Sequence, residues 1–324
     1  MKKYRNQIIT IALVFGAFII INSLIGANII NRYITRLMIL SCINIILAIS
    51  LNLITGITGQ LSLGNAAFMA IGAYVSAFFS VNLGMPFVVS LIAGSVTAAA
   101  MSVIVGIPTL KLKGDYFAIT TLGVCEIVRV LITNMDIVGG ARGFTGIPKK
   151  TTFTIAYFAV VLVIVIVVNI VKSTKGRAML AIRENEIAAE AMGVNTTKYK
   201  VVSFFISALI AGFAGGLFAH YTAFIQPTTF NFLKSIEIVT FVVLGGMGSI
   251  TGSVIAAIVL TILPEALREL ADLRMIFYSI TLVVLMIFRP QGLFGTLEIT
   301  DIIAKLKNRK SKKYDKVQVT DNNL

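Results

Sequence analysis

Long apolar runs recur along almost the whole chain, and they restrict its folding more than any other feature. Ile8–Ile25, Leu37–Ile54, Leu61–Val81, Pro86–Ile107, Tyr116–Thr133, Phe153–Val171 and Val201–Tyr221 are rich in Ile, Val, Leu, Phe and Ala, with short polar links between them. Each approaches the ~20 residues an α-helix needs to cross a ~30 Å hydrocarbon layer. A water-soluble core cannot absorb so many. Hydrophobic residues make up 57% and charged residues 13% of the chain, whereas a soluble domain carries about 25% charged residues. Backbone groups in lipid must be bonded within their own segment, so these spans are expected to be helices. A barrel would show short alternating segments instead of continuous ones. The expected fold is an all-α polytopic membrane protein with about 8–10 transmembrane helices. One transmembrane domain is expected over residues 1–304, followed by a basic tail, 305–324, whose charge and lack of apolar period predict mobility.

A net charge of +14 would suit a nucleic-acid partner, but its distribution argues against one. The cations gather at Lys2, Lys3 and Arg5, in the stretch Lys172–Lys200, and in the tail from Lys305 to Lys316. Clusters flanking membrane spans are an orientation signal and suit an anionic inner leaflet of lipid. With the N-terminus in the cytoplasm and six spans before Lys172, that stretch and the C-terminus both fall inside. Arg142, Lys149 and Lys150 then fall outside, against the rule. Cys42 and Cys125 sit in apolar runs and indicate neither a disulfide nor a metal site. The apolar run after the basic start lacks a small-residue cleavage pattern, so it reads as an uncleaved first span.

Two interruptions carry information. Lys172–Lys200 is the longest polar stretch between spans, and Glu184–Met192 within it has good helix formers and no Gly or Pro. A short helix there would put Ile187 and Ala191 on one face and Glu186 beside Glu190, with Gly193 as its stop. An isolated helix that short is marginal in water, so it either docks a partner or rests on the membrane surface. Phe232–Leu263 is too long for one span and too short for two at 1.5 Å per residue. The Gly-rich cluster Gly245–Gly252 would break it into a re-entrant or broken pair, whose irregular backbone must be buried in protein or line a cavity. A last span is expected at Met275–Phe288.

The order of several short motifs is specific. GQLSLGNAAF at Gly59–Phe68, GDYFAITTL at Gly114–Leu122, GGARGFTGIP at Gly139–Pro148, RENEIAAEAMG at Arg183–Gly193, GGMGS at Gly245–Ser249 and RPQGLFG at Arg289–Gly295 together resemble the permease subunits of branched-chain amino-acid ABC importers. Of the two permease types in such importers the chain resembles the "M" type, over about Leu37–Gly295. The resemblance implies a bacterial or archaeal plasma-membrane complex. Its other parts would be a second permease subunit, two cytoplasmic ATPase subunits holding ATP-Mg, and an extracytoplasmic substrate-binding protein. It also implies that Glu184, Glu186, Ile187, Ala188, Ala189, Glu190 and Gly193 belong to a coupling helix seated on an ATPase. The general importer loop reads Glu-Ala-Ala, three residues, then Gly; here Ile187 takes the Glu position and Glu186 stands one residue earlier.

Candidates for the translocation path are the polar residues near helix breaks and the charges inside spans. Gln60, Ser62 and Asn65 either line the path or satisfy backbone groups freed at a break. Gly245, Gly246 and Gly248 either line it or serve packing. Glu126 and Arg129 share a helix face and either meet the substrate, form an internal ion pair, or snorkel near the end of the span. His220, the one histidine, has no visible carboxylate or second ligand and reads as interfacial. Asp115 reads as an N-cap. No G-x-x-x-x-G-K-[ST] stretch occurs, so no cofactor is expected on this chain, and no nucleophile–base pair suggests an enzyme. Rival readings are an importer of other amino acids, amides or urea, and an ion-driven secondary transporter.

Overall fold

A computed structural model describes residues 15–16, 18–27, 30–112 and 114–267, with isolated positions 279, 280, 283, 287, 292 and 295. Ten helices carry the fold from residue 32 onward: α1 (Arg32–Asn52), α2 (Asn65–Val81), α3 (Phe87–Thr109), α4 (Asp115–Thr133), α5 (Phe153–Lys172), α6 (Thr174–Glu184), α7 (Glu186–Ala191), α8 (Thr196–Thr222), α9 (Phe232–Gly245) and α10 (Ile250–Ala266). Residues 18–26 are also helical, within the expected first span. Among the described residues five stretches are long and apolar enough to cross a membrane: Arg32–Ile57, Phe87–Thr109, Asp115–Thr133, Phe153–Lys172 and Thr196–Thr222. Asn65–Val81 and Ile250–Ala266 are shorter apolar helices. The chain is an all-α, multi-pass membrane protein. The expected last span, Met275–Phe288, and the tail 305–324 lie outside the described residues save for isolated positions.

Enclosure ranks the spans. Within the most apolar part of each, 83% of the α1 stretch is buried but only 28% of α5. The aliphatic face of α5 is open, with Leu162 and Val165 about half exposed. At its N-terminal end Phe18 stacks on Tyr157 and Phe158, with ring centroids 5.5 and 4.9 Å apart.

Small residues set the centre. Helices α2, α3 and α8 approach until their backbones touch: a Cβ on Gly72 would overlap the Gly212 carbonyl, one on Gly94 the Gly72 carbonyl, and one on Gly215 the Met69 carbonyl. Lipid tails are as apolar as leucine, so close van der Waals contact and hydrogen bonds hold such helices together instead of water exclusion. The bonds are present. Ser50 Oγ donates to the Ser207 carbonyl at 2.7 Å and Ser207 Oγ donates back to the Ser50 carbonyl at 2.8 Å. Cys42 and Cys125 are both free thiols and buried.

Four local differences from the sequence reading have physical causes. The third span begins at Asn65, not Leu61, because α1 tightens into a π turn at Leu53–Ile57 and Gly59 then adopts φ +79°. Gly114, at φ +58°, is the N-cap of α4, which leaves Asp115 as its first helical residue beside the positive end of the helix dipole. The polar stretch before α7 is itself a helix. Ser173 Oγ caps it by accepting from Gly176 N at 3.3 Å, and Met179 and Ile182 are buried against the bundle. His220, expected at the interface, is fully buried at 0% exposure.

That burial has a use. One ring nitrogen of His220 bonds Ser76 Oγ at 3.2 Å, the other meets the Pro148 carbonyl at 3.1 Å, and Phe87 packs edge-on. The Lys150 amide donates to the His220 carbonyl at 3.2 Å, so the histidine fastens the 139–151 loop to α2 and α8. Replacing it (His220→Ala) strands the buried Ser76 hydroxyl and the part-buried Pro148 carbonyl. Midpoints of SDS-induced unfolding in mixed micelles should report a loss of about 2–3 kcal/mol, and an unchanged midpoint would show that the clamp is idle.

Candidate functional site

The end of the bundle that carries α6 and α7 concentrates the polar and glycine-rich motifs. Asn185 separates the two helices and caps α7, its Oδ1 accepting from the Ala188 amide at 3.0 Å. Gly193, at φ +82° and donating to the Glu190 carbonyl, ends α7 in the left-handed turn that its sequence signalled. The helix is held from behind. Ala189 is buried at 5% exposure, and Glu186 Oε1 accepts from Lys200 Nζ at 2.6 Å at the base of α8. Its front is bare: Ile187 is 75% and Met192 84% exposed, with Ala188, Glu190 and Ala191 exposed around them. Glu184 closes α6 with an exposed side chain that pairs with Arg183. The expected docking residues therefore divide. Ala189 and Glu186 anchor the helix to its own chain, and the others face outward.

Arg183 connects this loop to the helix breaks. Its Nη1 donates to the Gly56 carbonyl at 2.8 Å, inside the π turn of α1. One turn back, Asn52 is 1% exposed and uses both ends of its carboxamide on the α9–α10 turn. Nδ2 donates to the Ser249 carbonyl at 3.1 Å, and Oδ1 accepts from the Gly248 amide at 2.8 Å. The turn cannot thicken. A Cβ on Gly245 would meet Gly252, one on Gly246 the Gly295 carbonyl, and one on Gly248 the Arg183 guanidinium at 2.6 Å. Gly246 and Gly248 also hold φ values of +105° and +91°. Three breaks in the fold, at Gly56, Gly59 and Gly245–Gly248, thus lie together under one arginine.

The other path candidates are placed as follows. Ser62 and Asn65 are buried; Ser62 Oγ accepts from the Gly64 amide, and Asn65 Nδ2 donates to the Leu47 carbonyl at 3.4 Å. Thr121 Oγ1 accepts from the Leu63 amide at 3.0 Å, which explains a hydroxyl in the GDYFAITTL motif. Gln60 differs: its Oε1 is buried and has no hydrogen-bond partner among the described residues. Glu126 and Arg129 form an ion pair of 2.7 Å, with about a third of each side chain exposed on the middle of α4.

One polar cluster escaped the sequence reading. Lys234 Nζ pairs with Glu237 at 3.0 Å on α9 and reaches Asn44 Oδ1 on α1 at 3.4 Å. Asn44 in turn donates to Thr261 of α10 at 2.9 Å. The i,i+3 spacing of Lys234 and Glu237 at the start of an apolar run was the available signal. No group of three metal-ligating side chains occurs among the described residues.

Comparison with known proteins agrees with these motifs. High-affinity branched-chain amino acid transport system permease protein LivM of Escherichia coli (strain K12) is 37% identical over 308 residues, spanning 84% of this chain and 72% of that protein. Its counterpart in Salmonella typhimurium is 36% identical over the same shares. The LivH permease protein of Salmonella typhimurium is 26% identical over 175 residues, 53% of this chain and 56% of that protein. No solved structure matches. Residues 33–288 match the family described as branched-chain amino acid transport system, permease component, and the chain belongs to that family.

Proposed function

We propose that this chain is the transmembrane permease subunit of an ABC importer for branched-chain amino acids, with its termini in the cytoplasm and α7 as its coupling helix. The observation that carries the reading is the pair of outward apolar side chains at α7, Ile187 on the helix and Met192 directly after it, with the six-residue helix fixed from behind by Ala189 and Lys200. A helix too short to be stable alone gains from such anchoring, and an apolar face left in water calls for a partner. Two ATPase subunits supply ATP-Mg and hydrolysis, a second permease completes the path, and an extracytoplasmic binding protein delivers substrate. The partly exposed Glu126–Arg129 pair supports assigning that face of α4 to the path or the second permease, because charge within a span is costly against lipid. Ser62, Asn65, Gly245, Gly246 and Gly248 then form the inner end of the path, where Arg183 joins its glycine turn to α6 and α7, and Gln60 turns away from it into a neighbouring polar cavity.

The test is reconstitution of the full complex in proteoliposomes with the double substitution Ile187→Asp, Met192→Asp. Each anchor in a desolvated interface is worth about 2 kcal/mol or more. Stimulated ATPase activity and uptake of labelled L-leucine should therefore collapse, with the permease still inserted and thermally unchanged. Unaltered coupling would reduce α7 to a connector and overturn the reading.

A further inference from the structure

Between α7 and the rest of the bundle lies a polar cavity of about 210 Å³, bounded by the 58–61 segment, the start of α4, the end of α6 and the base of α8. At ~30 Å³ per water it holds roughly seven waters, or one small organic ion. Its polar lining is Gln60, Asp115, Glu186 and Lys200, with Thr58, whose hydroxyl is spent on the Leu53 carbonyl. Leu112, Phe117 and Ile182 form an apolar wall.

These groups are not at rest with one another. Among the described residues Lys200 Nζ makes one hydrogen bond, to Glu186, although an ammonium carries three donors and this side chain is only 7% exposed. Gln60 Oε1 is a buried acceptor with no donor among the described residues. Among the described residues the lining carries two carboxylates, Asp115 and Glu186, and one ammonium, Lys200. A ligand that satisfies all of them carries an ammonium for Gln60, Asp115 and Glu186, a carboxylate for Lys200, and an aliphatic group for the wall.

We propose that this cavity is a regulatory site, separate from the translocation path, for a free aliphatic α-amino acid arriving from the α7 side. The inference rests on the importer reading, which makes that side cytoplasmic and makes the ligand of the same class as the delivered product. Glu186 is the first residue of α7 and Lys200 belongs to α8, so a zwitterion bridging them ties the coupling helix to the bundle in its present position. A ligand that binds one position better than others shifts the equilibrium toward it. Accumulated product would thereby slow the ATPase cycle.

Two measurements decide it. In equilibrium dialysis, the detergent-purified complex without binding protein or nucleotide should retain labelled L-leucine. Leu112→Trp, which fills the cavity from its rim, and Asp115→Asn should not. Isopentylamine and 4-methylpentanoate, each with one of the two charges, should compete poorly. In proteoliposomes preloaded with L-leucine on the α7 side, ATPase activity should fall about fivefold, the lower range of allosteric coupling. Leu112→Trp should be insensitive while importing normally into empty vesicles. Retention by both wild type and Leu112→Trp would assign the leucine to the path and overturn the proposal, as would absence of binding in the wild type. Failure of import into empty vesicles would refute the importer reading alone, and the dialysis result would still decide whether the site exists.

Discussion

Gly72→Val is expected to abolish accumulation of a folded chain. A side chain at this position projects into the Gly212 carbonyl of α8, and the carbonyl of Gly72 itself fills the space beside Gly94 of α3. Overpacked cores usually lose about 1–3 kcal/mol because side chains and backbone shift to make room. Here the obstacle on each side is a helix backbone whose own neighbours are equally close, so relaxation at one contact tightens another. Membrane levels should drop by about tenfold or more, since each 1.4 kcal/mol is a factor of ten, and what remains should run as aggregate on size exclusion. Gly123→Val is the control. A Cβ there meets nothing within 4 Å, and the variant should accumulate like wild type. Normal levels of monodisperse Gly72→Val would mean that α2 and α8 stand farther apart than described.

Asn52→Leu should stop transport by a different route. The substitution keeps the branched outline of the side chain but strands the part-buried Gly248 amide, while the Ser249 carbonyl loses one donor and keeps Ser253. Leaving a buried polar group unpaired costs about 1–3 kcal/mol. The α9–α10 turn would lose its register against α1, and uptake of L-leucine by the reconstituted complex should fall below a tenth of the wild-type rate. Asn52→Asp keeps the acceptor and loses the donor, so it should fall between. A cycle with Arg183→Met adds information because both residues grip the same pair of breaks, and contacting residues rarely have additive effects. Wild-type uptake by Asn52→Leu would show that the turn holds without its clamp.

The apolar runs announced α1, α3, α4, α5 and α8 because a span in lipid needs little beyond length and composition to be recognised. The glycine cluster likewise announced the α9–α10 break, and Gly193 the end of α7. What stayed hidden depends on partners far along the chain. Arg183 reads as one more cation in a basic loop; only the fold brings it to Gly56, 127 residues away. Asn52 reads as a polar residue near a span end, yet its partners lie 196 and 197 positions on. His220 was misplaced because a lone histidine without a carboxylate suggests an interface, whereas a serine hydroxyl and a backbone carbonyl satisfy it inside. Helix α6 was missed because Lys175 and Arg177 dominate its start, directly after Lys172, and the buried pair Met179 and Ile182 is too short an apolar signal to outweigh them.

The two thiols have a practical consequence. Cys42 is 8% exposed and Cys125 1%, on different helices of the packed interior. A water-soluble maleimide should leave the native chain unmarked and react only when helices separate, which gives the molecule an internal reporter of unfolding. The same silence means that a single cysteine placed at Ile187 or Leu112 can carry a fluorophore without first removing the natural pair.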